Sequence, residues 1–134
     1  MLAKDTRIER GLRPLELGRS ASGQPLGWDE RIADWKARRD PVPASGESLA
    51  QLGQRVMDVV TSLRKEYAGG SVVFVAHNEV IGAFLGLVRG APGAASYTAR
   101  VGNGSISVVE AGPGGPPVLV FADHTPPEAP SPAP

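Results

Sequence analysis

The chain has 134 residues, no cysteine and two histidines, and its 14 Lys+Arg balance 14 Asp+Glu. That length suits one domain with its own core, and the lack of cysteine excludes a disulfide scaffold and thiol chemistry. Neutrality gives no reason to expect nucleic acid or an anionic membrane as a partner, and no apolar run is long enough to span a bilayer.

Residues 1–27 are polar and carry Gly11, Gly18, Gly23 and Gly27. They read as loop with one short helical turn. No apolar stretch follows the charges of the first residues, so no secretory signal is expected and the cytoplasm is the default location. "WDERIADWKARRD" (28–40) places Trp28, Ile32 and Trp35 at helical spacing, with Asp29 as the expected N-cap and Pro41 and Pro43 as the stop. Trp28 and Trp35 read as core or interface.

"ESLAQLGQRVMDVVTSLRKEY" holds the clearest helix. Leu49, Leu52, Val56, Val59, Val60, Leu63 and Tyr67 fall on one stripe, Ser48 and Gln51 have capping-box spacing, and Gly69-Gly70 closes it. Arg55, inside this helix, reads as a member of a surface ion pair. "SVVFVA" (71–76) is β-branched and apolar at successive positions, as in a strand buried on both faces of a parallel sheet. From Glu79 the apolar residues Val80, Ile81, Phe84, Leu85 and Val88 return to helical spacing, and Gly90-Ala91-Pro92 stops them. "SISVVEA" (105–111) and "PVLVFAD" (117–123) read as two strands joined through a Gly/Pro turn, with Asn103 and Ser105 in a turn before the first. His124 reads as loop. The Pro-rich 125–134 has nothing to pack and is expected to be a disordered tail behind a single domain over 1–124.

Helix, buried strand and helix in succession is the α/β pattern, in which ligands bind beyond the carboxyl ends of strands. His77 falls at such an end, just before a helix N-terminus. There an imidazole, free backbone N–H groups and the positive end of a helix dipole make an anion site. The two histidines lack metal-ligand spacing and no carboxylate cluster is evident, so neither a metal nor another cofactor is expected.

"GESLAQLGQRVMDVV", "SVVFVAHNEVIGAFLGLVRG" and "NGSISVVEAG" resemble, in order and spacing, the C-terminal part of the histidine phosphatase superfamily, the phosphoglycerate-mutase-like proteins. "GLRPLELGRSASGQPLGWDE" resembles the segment that precedes it, so the resemblance spans about Gly11 to Asp123. It implies a truncated phosphoglycerate-mutase-like three-layer α/β fold, a mainly parallel sheet flanked by helices. It also implies phosphoryl transfer, in which one histidine attacks phosphorus while a second histidine and two arginines hold the phosphoryl oxygens and a carboxylic acid protonates the leaving alcohol.

His77 matches the second histidine and is the candidate catalytic residue, with Asn78, Arg13 and Glu47 as candidate substrate-binding residues. The motif that carries the nucleophile in this family, Arg-His-Gly, does not occur in these 134 residues. Neither does the Ser-Pro-x-x-Arg-Ala region of the second arginine. Pro14 stands where the resemblance expects the proton-donating glutamate, and Glu16 lies two residues on.

The expected ligand is a small anionic or phosphorylated molecule. Four readings stay open: a non-catalytic relative binding an anion or a protein, a phosphatase whose site a second chain completes, an enzyme using His77 with Glu16 or Glu47 for other acid–base chemistry, and a fragment of a longer reading frame. The bare apolar strand predicts a homodimer or a covering protein partner, and a dimer is one route to two copies of His77 around one pocket.

Overall fold

A computed structural model describes residues 6–128. A 3-10 turn, Arg10–Leu12, interrupts the N-terminal loop. Helix α1 spans Trp28–Lys36, and its cap is Gly27 rather than Asp29. The Glu30 carboxylate reaches back to the Gly27 N–H at 2.7 Å, while Asp29 sits inside the first turn, where the helix dipole favours it. The helix also ends sooner than its prolines suggest, because Arg38 turns left-handed at φ 61°.

Helix α2 spans Leu49–Glu66 and starts with the expected capping box: Ser48 Oγ accepts from the Gln51 N–H and Gln51 Oε1 from the Ser48 N–H, both at 3.0 Å. Asp40 adds acceptors for the Leu49 and Ala50 N–H groups at 2.8 and 3.0 Å and for Trp35 Nε1 at 3.2 Å, tying α1 to the start of α2. The stripe from Leu49 to Leu63 is buried as read, but Tyr67 lies beyond the last turn and is exposed.

Helix α3 spans Asn78–Val88 and buries Val80, Phe84 and Leu85 against α2. A 3-10 segment, Gly93–Ala99, packs beside it. Strand β1, Ile106–Glu110, pairs antiparallel with β2, Val118–His124. The Gly102–Ser105 turn before β1 is fixed by Ser105 Oγ donating to the Gly102 carbonyl at 2.7 Å. His124 ends β2, edge-on to Phe121 at 6.0 Å, and so is strand rather than loop. The end of the Pro-rich segment, residues 129–134, lies outside the described residues.

The mixed helix–strand composition agrees with an α/β class, but the described residues form no mainly parallel three-layer sheet. The sheet has two antiparallel strands. Residues 71–76 enter no ladder, and none of their backbone groups joins a backbone–backbone hydrogen bond among the described residues. A strand is defined by its partner, and no other segment of residues 6–128 forms a bridge with this one. Burial on both faces fails for the same reason. Phe74 and Ala76 pack on the core that α2 and α3 form, while Val73 and Val75 point outward, 86% and 89% exposed. The segment alternates as a half-covered strand does.

Candidate functional site

The loop from Gly11 to Leu17 is held by two buried arginines that local sequence patterns do not distinguish from surface ones. Arg55 projects from α2 and its guanidinium is fully engaged. Nε donates to Glu47 Oε2 at 3.2 Å and Nη2 to Glu47 Oε1, while Nη1 donates to the carbonyls of Gly11 and Arg13 at 2.8 and 2.9 Å. Both side chains are mostly buried, 13% and 12% exposed, so this is an interior ion pair and not the surface pair expected for Arg55. Arg31 of α1 is buried and donates to the carbonyls of Leu17 at 2.7 Å and Glu47 at 2.6 Å. Burial lowers its pKa, and the nearby carboxylates of Asp40, Asp34 and Glu47 act in the opposite direction.

This frame decides what Glu47 can do. Its Oε1 accepts from Arg55 and from the Glu16 N–H at 3.2 Å, and its Oε2 accepts from Arg55. Glu47 orients an arginine, but that arginine is spent on loop carbonyls. Arg13 points to solvent, with Nη1 donating to the Arg10 carbonyl at 3.2 Å and Nε 3.7 Å from Glu16. Pro14 offers its carbonyl to Arg55 at 3.4 Å.

His77 is the N-cap of α3, with φ −84° and ψ 157°. Its carbonyl accepts from the Val80 and Ile81 N–H groups, both at 3.1 Å, and its exposed ring has no hydrogen-bond partner among the described residues. No described side chain caps this helix, so the Asn78 and Glu79 N–H groups have no acceptor among the described residues at its positive end. Asn78 and Glu79 line a cavity of about 230 Å³ between α1, α3 and the Gly93–Ala99 segment. Trp28, Trp35 and Tyr97 supply its aromatic wall, which gives half-exposed Trp28 a pocket role beside the core role of Trp35.

Arg100 lines the same cavity, with its guanidinium 4.7 Å from the centre of the Tyr97 ring. Gly82 allows this approach, since a Cβ there would meet Arg100 Cα at 3.0 Å. Sequence reasoning missed Arg100, because nothing local marks an arginine at the end of a 3-10 segment as lining a cavity.

Asn78, the residue after His77, therefore sits in the cavity wall, whereas none of His77, Arg13 and Glu47 is among the residues lining that cavity. No group of three or more His, Cys, Asp or Glu among the described residues could hold a metal ion, and no described helix is long and apolar enough to cross a membrane. Chemically the cavity offers the start of a helix and one guanidinium beside an aromatic wall, with the exposed His77 imidazole at the cap of the same helix. That set suits an anion carried on a small organic body.

A family model described as the histidine phosphatase superfamily (branch 1) matches residues 3–124. No curated protein and no solved structure matches the chain significantly.

Proposed function

The chain belongs to the histidine phosphatase superfamily, and from that premise we propose that it binds a phosphate or phosphorylated small molecule at His77 without ordinary phosphatase turnover by these residues. The observation that carries the reading is the uncapped start of α3. The Asn78 and Glu79 N–H groups open beside His77, and Arg100 lines the cavity that Asn78 and Glu79 also line. His77 donates to a phosphoryl oxygen in this reading, the two N–H groups hold a second, and Arg100 neutralises charge. Arg13 and Glu47 do not line the cavity and take no part in this reading.

Turnover needs a nucleophile that forms and releases a phosphoryl bond, and an acid for the leaving alcohol. These residues offer one histidine at the site, and proline at position 14 in place of the acid. The alternative of acid–base chemistry with Glu47 is weakened by its three accepted hydrogen bonds.

Phosphate should raise the melting temperature by mass action. A tenfold excess over Kd adds about 1.4 kcal/mol, or roughly 4 °C for a domain of this size. His77→Ala and Arg100→Ala should each shrink that shift. Asn78→Pro should abolish most of it while leaving the helix intact: proline suits a first helical position, and the extended His77 backbone tolerates a following proline. No shift at millimolar phosphate would remove the anion site.

Turnover is checked separately with aryl phosphates. Rates far below the ~1 per second typical of enzymes are expected. Ordinary rates abolished by His77→Ala would overturn the loss of turnover while leaving the binding site in place.

A further inference from the structure

We propose that the cavity between α1, α3 and the Gly93–Ala99 segment takes one uncharged aromatic ring, which makes an aryl phosphate, and not a phosphorylated polyol, the preferred ligand. The inference rests on the anion site proposed above and adds the chemistry of the body that carries the phosphate. It starts from the walls. Trp28 and Trp35 come from α1, Leu49 from the start of α2, Ala83 from α3 and Tyr97 from the 3-10 segment. Trp35 and Tyr97 already form a tilted pair, with ring centroids 5.7 Å apart and planes at 34°. The Arg100 guanidinium lies 4.7 Å from the Tyr97 centroid. A further flat ring there meets aromatic partners and a guanidinium, the two kinds of neighbour that favour a π-system over a saturated group.

Much of this wall is in place before a ligand arrives. Trp35 is 3% exposed, and its Nε1 donates to Asp40 at 3.2 Å. A Cβ on Gly86 would collide with Ser96 Cβ, so α3 and the 3-10 segment approach closely. Ser96 is itself buried and donates from Oγ to the Gly93 carbonyl at 2.6 Å. Binding therefore costs little in ordering these groups. Trp28 differs. It is 42% exposed, and a ring that covers it withdraws apolar surface from water.

Size and polarity narrow the class. The cavity, about 230 Å³, is larger than the ~150 Å³ apolar cavity that admits benzene. It is smaller than the ~300–1,000 Å³ usual for drug-sized ligands, so it suits one ring with small substituents. A polyol matches poorly, because each buried hydroxyl needs a partner. The Trp35 N–H and the Ser96 hydroxyl are already donated within the chain, and the side chains of Ile32, Leu49 and Ala83 offer none. Arg100 and Glu79 put one charge of each sign on the lining. A cationic ring or a second anionic group would meet like charge from one of them, so the ring is uncharged and the phosphate single.

Calorimetric titration of the full chain with inorganic phosphate, phenyl phosphate, glycerol phosphate and phenol tests this. Phenyl phosphate should bind at least about tenfold tighter than inorganic phosphate, and glycerol phosphate within about threefold of it. Phenol should bind weakly. The readout for variants is the ratio of the phosphate and phenyl phosphate Kd values, which a general loosening of the fold does not move. Trp28→Ala should bring that ratio below about threefold, and Trp28→Phe should keep most of it. Circular dichroism confirms folding of both variants.

The two readings fail separately. Inorganic phosphate that binds with no gain for phenyl phosphate, an equal gain for glycerol phosphate, or a ratio that survives Trp28→Ala would each overturn the ring site and leave the anion site standing. Binding of phenol without binding of inorganic phosphate would remove the anion site, and the phosphate half of the ligand with it, while the ring cavity stands. A chain that binds none of the four overturns both.

Discussion

Replacing Arg55 by methionine is expected to lower the unfolding free energy by about 3–5 kcal/mol, the usual cost of removing one partner of a buried ion pair. The loss is large because it is compound. Glu47 keeps its charge in a mostly buried position with only the Glu16 N–H for company, and the carbonyls of Gly11, Arg13 and Pro14 lose their donor. A domain of ordinary stability has about 5–15 kcal/mol in all, so the variant should unfold at much lower urea. Adding Glu47→Leu should restore part of the loss, since the stranded carboxylate is then gone, though the Glu16 N–H still lacks its acceptor. The urea midpoints of the single and double variants check this. A single variant within 1 kcal/mol of the native protein, or a double variant less stable than the single, would show that the pair does not anchor the Gly11–Leu17 loop.

The same pair shows where sequence reading stops. The α2 cap and stripe were legible because Ser48, Gln51 and the Leu/Val positions interact within a few turns of one another. The start of α3 at His77–Asn78 was legible for the same reason, an apolar period that changes from strand to helix. Arg55 was not. Its spacing from Glu47 resembles that of many solvated pairs, and its burial comes from a loop more than 40 positions upstream. Arg31 and Arg100 are alike in this respect: each acts on backbone or ring partners brought by other elements. Residues 71–76 illustrate the converse. Their composition suggests a strand buried on both faces, but pairing and burial are properties of two segments, and composition alone cannot tell whether a partner lies alongside. Gly27 as the cap of α1 was missed because the rule favours a side-chain oxygen, while here Glu30 supplies it from inside the helix.

Gly53→Val is expected to cost about 3 kcal/mol, near the upper end of ordinary overpacking, and Gly53→Ala should destabilise more mildly. The sign of the alanine result is the informative part. At a solvent-facing helix position, Gly→Ala gains about 1 kcal/mol from helix propensity alone. At Gly53 an added Cβ would stand 2.6 Å from the Ala83 carbonyl oxygen and 3.1 Å from its carbon. Those atoms are backbone of α3 and cannot swing aside as a flexible side chain would. The two helices must part by several tenths of an ångström, and the contacts of Leu52 and Leu85, both almost fully buried between them, loosen together. The consequence reaches the site, because α3 carries Asn78 and Glu79 into the cavity wall while Trp28 and Tyr97 come from other elements. Gly53→Ala should therefore reduce the melting temperature and also weaken phosphate binding, even though residue 53 does not line the cavity. Thermal melts with and without phosphate read both effects. An alanine variant more stable than the native chain would mean that α2 and α3 do not cross this closely, and the placement of Asn78 in the cavity wall would fall with it.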